Sequence, residues 1–322
     1  MPTDPKFSPS SPDPIDSDQP PAARFALGVD EDVGAGLRRI VIEQIWLASW
    51  HVQRVGDGPG HVHEFRKATK RIRAVLRLVR REIGPEPYRT ANAAVRDVAK
   101  ELSGLRTAIV RIETLEDLID RDASLGHAGD GLSRCLTADA VRLHNLAVSG
   151  TRLVDTVNDR LGDVRGAIEQ WSFPDNFDPT SRGLQRTYER GRKGMSHAYG
   201  EGTDESFHRW RKEVKYLRHQ IEVLRGALLG PEPRLVATLE ELGDGLGVDH
   251  DLADLEHAVS TMVDERPASR IDHSGLATAI GERRRTLHDD LVPLGESVYT
   301  RRPCEFRYEM AMYWRRWEPP IG

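Results

Sequence analysis

From about residue 32 to about residue 317, apolar residues recur at three- and four-residue intervals and nowhere settle into strict alternation. That spacing gathers them on one stripe of a helix, whereas a half-buried strand would alternate with period two. Breaks at Gly and Pro divide the pattern into helices predicted at 34–54, 61–83, 88–104, 106–122, 133–148 and 151–170. A second series follows at 181–200, 204–229, 232–245, 249–265, 274–299 and 303–317. The expectation is an all-α protein. Residues 1–24 hold seven prolines among Ser and Asp and offer almost nothing to bury, so they read as a disordered tail. The stretch Trp171-Ser172-Phe173-Pro174-Asp175-Asn176-Phe177-Asp178-Pro179 has turn chemistry and reads as part of a linker over 171–182. The predicted organisation is a first helical bundle over 25–170, that linker, and a second bundle over 183–322.

The two series repeat. His63, Arg66, Lys67, Lys70 and Arg73 recur as His208, Arg211, Lys212, Lys215 and Arg218, at an offset of 145 residues. Gly84-Pro85-Glu86-Pro87 recurs as Gly230-Pro231-Glu232-Pro233 at 146, and Gly36, Leu37 and Arg39 as Gly183, Leu184 and Arg186 at 147. So small a drift across three blocks argues for duplication of one helical unit.

Helical projection turns the repeat into chemistry. At 100° per residue, Arg66, Lys67, Lys70, Arg73 and Arg77 fall within about 60–80° of His63. Phe65, Ala68, Ile72, Val75, Leu76 and Val79 take the other side; in the second copy Trp210, Val214, Leu217, Ile221 and Leu224 do so. A solvated face would mix signs, because like charges four apart destabilise a helix. Residues 63–81 instead carry eight Arg or Lys and one Glu. An anion relieves that repulsion. Arg forks pair two phosphate oxygens and Lys adds a mobile point charge, so two long cationic stripes suit an extended phosphate polymer. No G-x-x-x-x-G-K-[ST] loop is present for a single phosphate group. Nucleic acid is disfavoured: no base-reading module occurs, and Phe65, Phe207 and Trp210 lie on or near the apolar side rather than among the charges.

Composition adds limits. Net charge is −5, so an anion site needs local concentration of cations, not the field of the whole molecule. Charged residues at 30 % and aromatics at 6 % suit a solvated helical protein. Cys135 and Cys304 are too few for a disulfide scaffold and fit a reducing compartment. The N-terminus lacks a basic region with an apolar core, and no apolar run reaches the roughly 20 residues of a membrane span. The expectation is a cytoplasmic protein with no membrane partner.

The H-x-x-R-K-x-x-K-x-x-R helices resemble the signature of the CHAD family, the conserved-histidine α-helical domain. Tyr188-Glu189-Arg190-Gly191-Arg192-Lys193 is similar to its Y-x-R-G-R segment, and Leu246-Gly247-Val248-Asp249-His250-Asp251-Leu252 to its L-G-x-x-H-D-L segment. Leu294-Gly295, Tyr299, Pro303, Phe306, Arg307 and Trp314 resemble its closing helices. The resemblance implies two tandem bundles related by a pseudo-twofold axis, with the histidine helices lining a central basic cleft or pore. It also implies binding of inorganic polyphosphate and association with polyphosphate granules. By position, Arg190, Arg192 and Lys193, just before the second histidine helix, are candidates for the rim; Arg39, Arg77 and Arg106 are expected among the binding cations. Many members carry a CYTH-type hydrolase domain with an E-x-E-x-K motif; none occurs here, so a stand-alone, non-catalytic binder is expected. One departure is that Arg106 is followed by Thr107 where the family has R-D, while His250-Asp251 keeps H-D. With Arg77, Arg80 and Arg81 on the first copy and Glu222 on the second, an asymmetric site is expected, gripping harder on its first half.

Other chemistries are weaker. No Cys/His spacing matches zinc, a His beside Arg and Lys is a poor cation ligand, and no cofactor is indicated. Within its helix neither His63 nor His208 has a carboxylate placed to make it a nucleophile. A hydrolase or transferase acting on phosphate polymers, and an RNA-binding module, remain the alternatives. Arg283-Arg284-Arg285 and Arg301-Arg302 read equally as rim or as plain surface.

Overall fold

The structure, a computed structural model, describes residues 18–28, 31–173, 176–226, 233–265 and 274–315. Among these residues there are eleven α-helices and no strand. The first half contains α1 (Val33–Gln53), α2 (Pro59–Leu78), α3 (Pro85–Glu101), α4 (Ser103–Arg121), α5 (Gly126–Ser149) and α6 (Thr151–Gln170). The second contains α7 (Phe177–Glu201), α8 (Asp204–Leu224), α9 (Pro233–Glu265), α10 (Ser274–Val298) and α11 (Pro303–Arg315).

Local signals start and stop these helices. Asp32 caps α1 by accepting from the Ala35 amide at 2.8 Å, and Pro59 and Pro85 begin α2 and α3, where a missing N–H costs nothing. Thr203 and Ser206 cap α8 reciprocally, and Gly202, at φ 64°, takes the left-handed conformation that ends α7. The repeated Gly-Pro-Glu-Pro turn is seen at Gly84–Pro87; its second copy lies largely outside the described residues, as do residues 1–17 of the expected tail.

Several expected boundaries change: α2 ends at Leu78 where 83 was expected, and α5 begins at Gly126 where 133 was expected. Helix α7 begins at Phe177, so only 171–176 connects the halves, and Pro179 sits in the first turn where proline is tolerated. The helices expected at 232–245 and 249–265 are one continuous α9. Its glycines, which read as a break, serve close approach instead. A Cβ on Gly245 would come within 2.7 Å of the Leu291 side chain of α10.

The order of packing partners repeats along the chain. α1 lies on α2 and α6 as α7 lies on α8 and α11, and α4 packs on α5 as α9 packs on α10. The halves do not keep separate cores. The main core joins Leu37, Phe65, Ile72 and Val95 to Tyr188, Trp210, Leu217 and Phe306, all fully or almost fully buried. A smaller one joins Leu115, Leu132 and Leu136 to Leu252, Leu255 and Ile280. At the centre α2 packs against both α7 and α8. Gly183 lets α7 cross the end of α2, since a Cβ there would lie 1.9 Å from the Leu78 carbonyl oxygen.

Candidate functional site

Helices α2 and α8 each bury the apolar face read from sequence: Val62, Phe65, Ile72 and Val75 on one, Trp210, Val214, Leu217 and Ile221 on the other. Three bonds tie them together. Arg77 meets Glu213 at 3.0 Å, Arg71 meets Glu222 at 2.8 Å, and Gln220 Nε2 donates to the Ala74 carbonyl at 3.1 Å. Arg77 and Arg71 also cover aromatic rings, those of Tyr216 and Phe25. Glu213 is buried and also meets Arg190 of α7 at 2.9 Å. Stripping one partner from such a buried pair costs about 3–5 kcal/mol.

Beside these bonds the remaining cations of α2 and α8 face one another. Lys70 stands among Lys215 and Arg211 of α8, Arg66 of its own helix and Arg106 of α4. It is exposed to water, yet crowding by the surrounding atoms, then those four cations, pulls its pKa down to about 7. Lys215, half-buried, is brought down to about 8 by burial and by Arg211. Arg66 and Arg211 are likewise lowered, first by burial. Arg66 spends one guanidinium bond on the Ala99 carbonyl at 2.9 Å. Lys70, Arg211, Lys212 and Lys215 have no hydrogen-bond or ion-pair partner among the described residues, and Arg211 Nε is buried and unsatisfied. Buried donors are almost always satisfied, so the Arg211 Nε–H stands out in this group, whereas the exposed ammonium groups of Lys70 and Lys212 are open to water.

The histidines stand beside this cluster. His63 is held below its ordinary pKa by burial and then by Arg106. His208 lies against His250, ring centroids 4.7 Å apart; its Nδ1 is buried without a partner, and burial followed by His250 pulls it down to about 4. Arg106 thus takes beside His63 the place His250 takes beside His208. His250 Nδ1 lies 3.1 Å from Asp251 Oδ1, the contact that Thr107 cannot supply in the first half.

The site is unequal, and α9 makes it so. Asp244, Asp249 and Asp251 all act on Arg211, and Asp244 and Asp251 act on Lys215. At the matching positions of the first half, offset by 144, stand Lys100, Leu105 and Thr107. The charges acting most strongly on Lys70 are all cations. Gly247 of α9 lies beside the two cations: a Cβ on it would sit in ordinary contact, 3.7 Å from Lys215 Nζ and 3.9 Å from Arg211 Nη2.

Several cations expected in the site are engaged elsewhere. Arg39 pairs with Glu31 and Glu43 and donates to the Arg24 and Ala26 carbonyls, fastening Arg24, Ala26 and Glu31 to α1. Arg77 and Arg190 share Glu213, and Lys193 pairs with Glu189 at 2.7 Å on an exposed turn. Lys67 meets Glu64, Arg73 donates to Asn92 Oδ1 at 3.1 Å, and Arg218 meets Asp244 at 3.4 Å and also Glu240. Among the later arginines, Arg284 pairs with buried Asp249 and Arg301 with Glu309, while Arg302 meets Glu305 on the exposed surface. Sequence reasoning missed Arg71, Glu213 and Asp244; Asp249 and Asp251 were quoted with His250, but not as partners of Arg284 and Arg211. An acid on an apolar face, as Glu213 is, was the available signal. A hollow of about 700 Å³ between α7 and α11, lined by Asp178, Arg307 and Trp314, contains none of the clustered cations. Among the described residues no group of three or more His, Cys, Asp or Glu is placed to hold a metal, and no helix is long and apolar enough to cross a membrane.

The family model of the CHAD domain matches residues 44–260, two-thirds of the chain, including both histidine helices and the His250-Asp251 pair. The chain belongs to the CHAD domain family. The all-helical CHAD fold also links it to two solved structures. One is the crystal structure of the CHAD domain from the plant Ricinus communis, with a TM-score of 0.60 at 16 % identity over 90 % of this chain and 95 % of that one. The other is PptA from Streptomyces chartreusis, with a TM-score of 0.57 at 17 % identity over 88 % and 100 %. At such identities the likeness concerns the fold. No curated protein matches the sequence.

Proposed function

We propose that this CHAD protein is a non-catalytic binder of inorganic polyphosphate, held between α2 and α8 and associated with polyphosphate granules. The observation that carries this reading is the group of partnerless cations Lys70, Arg211 and Lys215, gathered with Arg66 and Arg106, with Lys212 near His208. Their mutual repulsion leaves the empty site short of negative charge, and a phosphate chain supplies it continuously. Rim contacts come from Lys67, Arg73, Arg218 and the two histidines. Because α9 carboxylates already offset Arg211 and Lys215, the first half contributes the larger share. RNA fits less well: Phe65, Phe207 and Trp210 are buried and Tyr216 lies under Arg77, so no ring on these helices is free to stack a base. The test is a titration of long-chain polyphosphate, tripolyphosphate and single-stranded RNA at physiological salt, with and without Mg²⁺. Polyphosphate is expected to bind at least tenfold tighter than RNA, with affinity falling steeply as salt rises. Equal affinities refute the specific reading, and release of phosphate reinstates a hydrolase.

A further inference from the structure

Arg80 and Arg81, read from sequence as extra grip on the first half of the site, stand apart from it. They follow the end of α2 at Leu78, which lies about 12 Å along the helix from Lys70. Gly183 lets α7 cross α2 at that end, and the crossing brings Arg182 and Arg186 to the same place. Arg182 meets Asp178 at 2.9 Å, and Arg80 covers the Tyr88 ring at 5.0 Å from its centroid. Arg80, Arg81 and Arg186 have no hydrogen-bond or ion-pair partner among the described residues. Burial, then Arg80 and Arg81, holds Arg186 below its ordinary pKa. The acid beside them does not neutralise them, since Glu82 Oε2 is buried and no donor reaches it. Between this group and Lys70, Arg73 and Arg77 are engaged by Asn92 and Glu213, so the two cationic groups do not form one track.

The internal repeat shows what such an arginine takes. Arg186 corresponds to Arg39, at the offset of 147. Arg39 is filled: it meets Glu31 at 2.6 Å and Glu43 at 2.9 Å, and donates to the Arg24 and Ala26 carbonyls at 3.1 and 3.0 Å. Its ligand is thus a non-helical stretch of chain that offers backbone carbonyls and a carboxylate, completed by a second carboxylate from α1. In the second half the position of Glu31 is held by Asp178, which is taken by Arg182 and Arg307, and that of Glu43 by Arg190. The carboxylates that the first half carries for itself are missing round Arg186. We propose that Arg80, Arg81 and Arg186 form a docking site for an acidic peptide segment of a partner protein, separate from the α2–α8 cluster. The guanidinium forks take its carboxylates two oxygens at a time, and its backbone carbonyls take the remaining N–H donors. The peptide character of the ligand at Arg39 favours this occupant over a phosphate polymer.

Fluorescence anisotropy of a labelled octaglutamate peptide, titrated with the full chain at low salt, tests this directly. Arg81→Gln with Arg186→Gln should weaken peptide binding about fivefold or more and leave affinity for long-chain polyphosphate within about twofold. Arg66→Ala with Arg211→Ala should do the reverse. No peptide binding by the unaltered protein, or unchanged peptide affinity in the Arg81 and Arg186 variant, overturns the proposal. An equal loss of polyphosphate affinity in that variant also overturns it, and assigns these arginines to the polymer. If the double variant fails to fold, Arg81→Gln alone, at an exposed position beyond the end of α2, decides by the same readings with a smaller expected loss.

Discussion

A lysine held among other cations raises the energy of the folded state, because the unfolded chain lets it keep its proton in water at no such cost. Lys70 and Lys215 both stand that way, and crowding by protein atoms first, then the cations, brings their pKa values to about 7 and about 8 against an ordinary value near 10.4. The sign follows. Between about pH 7 and pH 10 the folded protein binds fewer protons than the unfolded one, so stability rises with pH through that window and is lowest below it. The urea midpoint is therefore expected to rise from pH 7 to pH 9.5, and Lys70→Gln with Lys215→Gln should remove most of that rise. A midpoint independent of pH in the unaltered protein, or an unchanged slope in the variant, contradicts the strain assigned to these lysines. Polyphosphate should do at pH 7 what alkali does, stabilising the protein through preferential binding to its folded form.

The helices were the most legible feature of the sequence, and their faces more so than their ends. Periodicity placed Phe65, Ile72, Trp210 and Val214 in the core and the cations opposite, because burial acts on every turn alike. Ends were misjudged where Gly or Pro served another purpose: Gly245 of α9 admits Leu291, and Pro179 sits in the first turn of α7. Cationic residues were legible as a stripe, but not their partners, which come from elsewhere in the chain. No local pattern tells Arg77, bound to Glu213, from Lys70, bound to nothing. The asymmetry was expected from surplus arginines on the first copy, Glu222 on the second, and Thr107 in place of Asp251; in the structure Asp251 acts on Arg211 and Lys215 together with Asp244. Asp251→Asn should accordingly tighten polyphosphate binding several-fold, and Thr107→Asp should weaken it by a similar factor, measured by titration at constant salt. If both substitutions act in the same direction, the imbalance between α4 and α9 does not set affinity.

At the scale of the whole molecule, a net charge of −5 would repel a polyanion, and binding depends on a local reversal of sign. The fold achieves that by joining both halves through shared cores, so that two cationic helices meet at the centre while acidic residues are spent in ion pairs around them. The cluster, not the total charge, is then what the ligand reads. Affinity for long-chain polyphosphate should be compared in two variants that each remove two positive charges. Arg66→Ala with Arg211→Ala empties the centre; Lys193→Ala with Arg302→Ala removes cations already paired with Glu189 and Glu305 on the surface. The central pair is predicted to lose at least tenfold, about 1.4 kcal/mol or more, while the peripheral pair stays within about twofold. Equal losses would show that polyphosphate responds to overall charge and that the α2–α8 cluster is not its site.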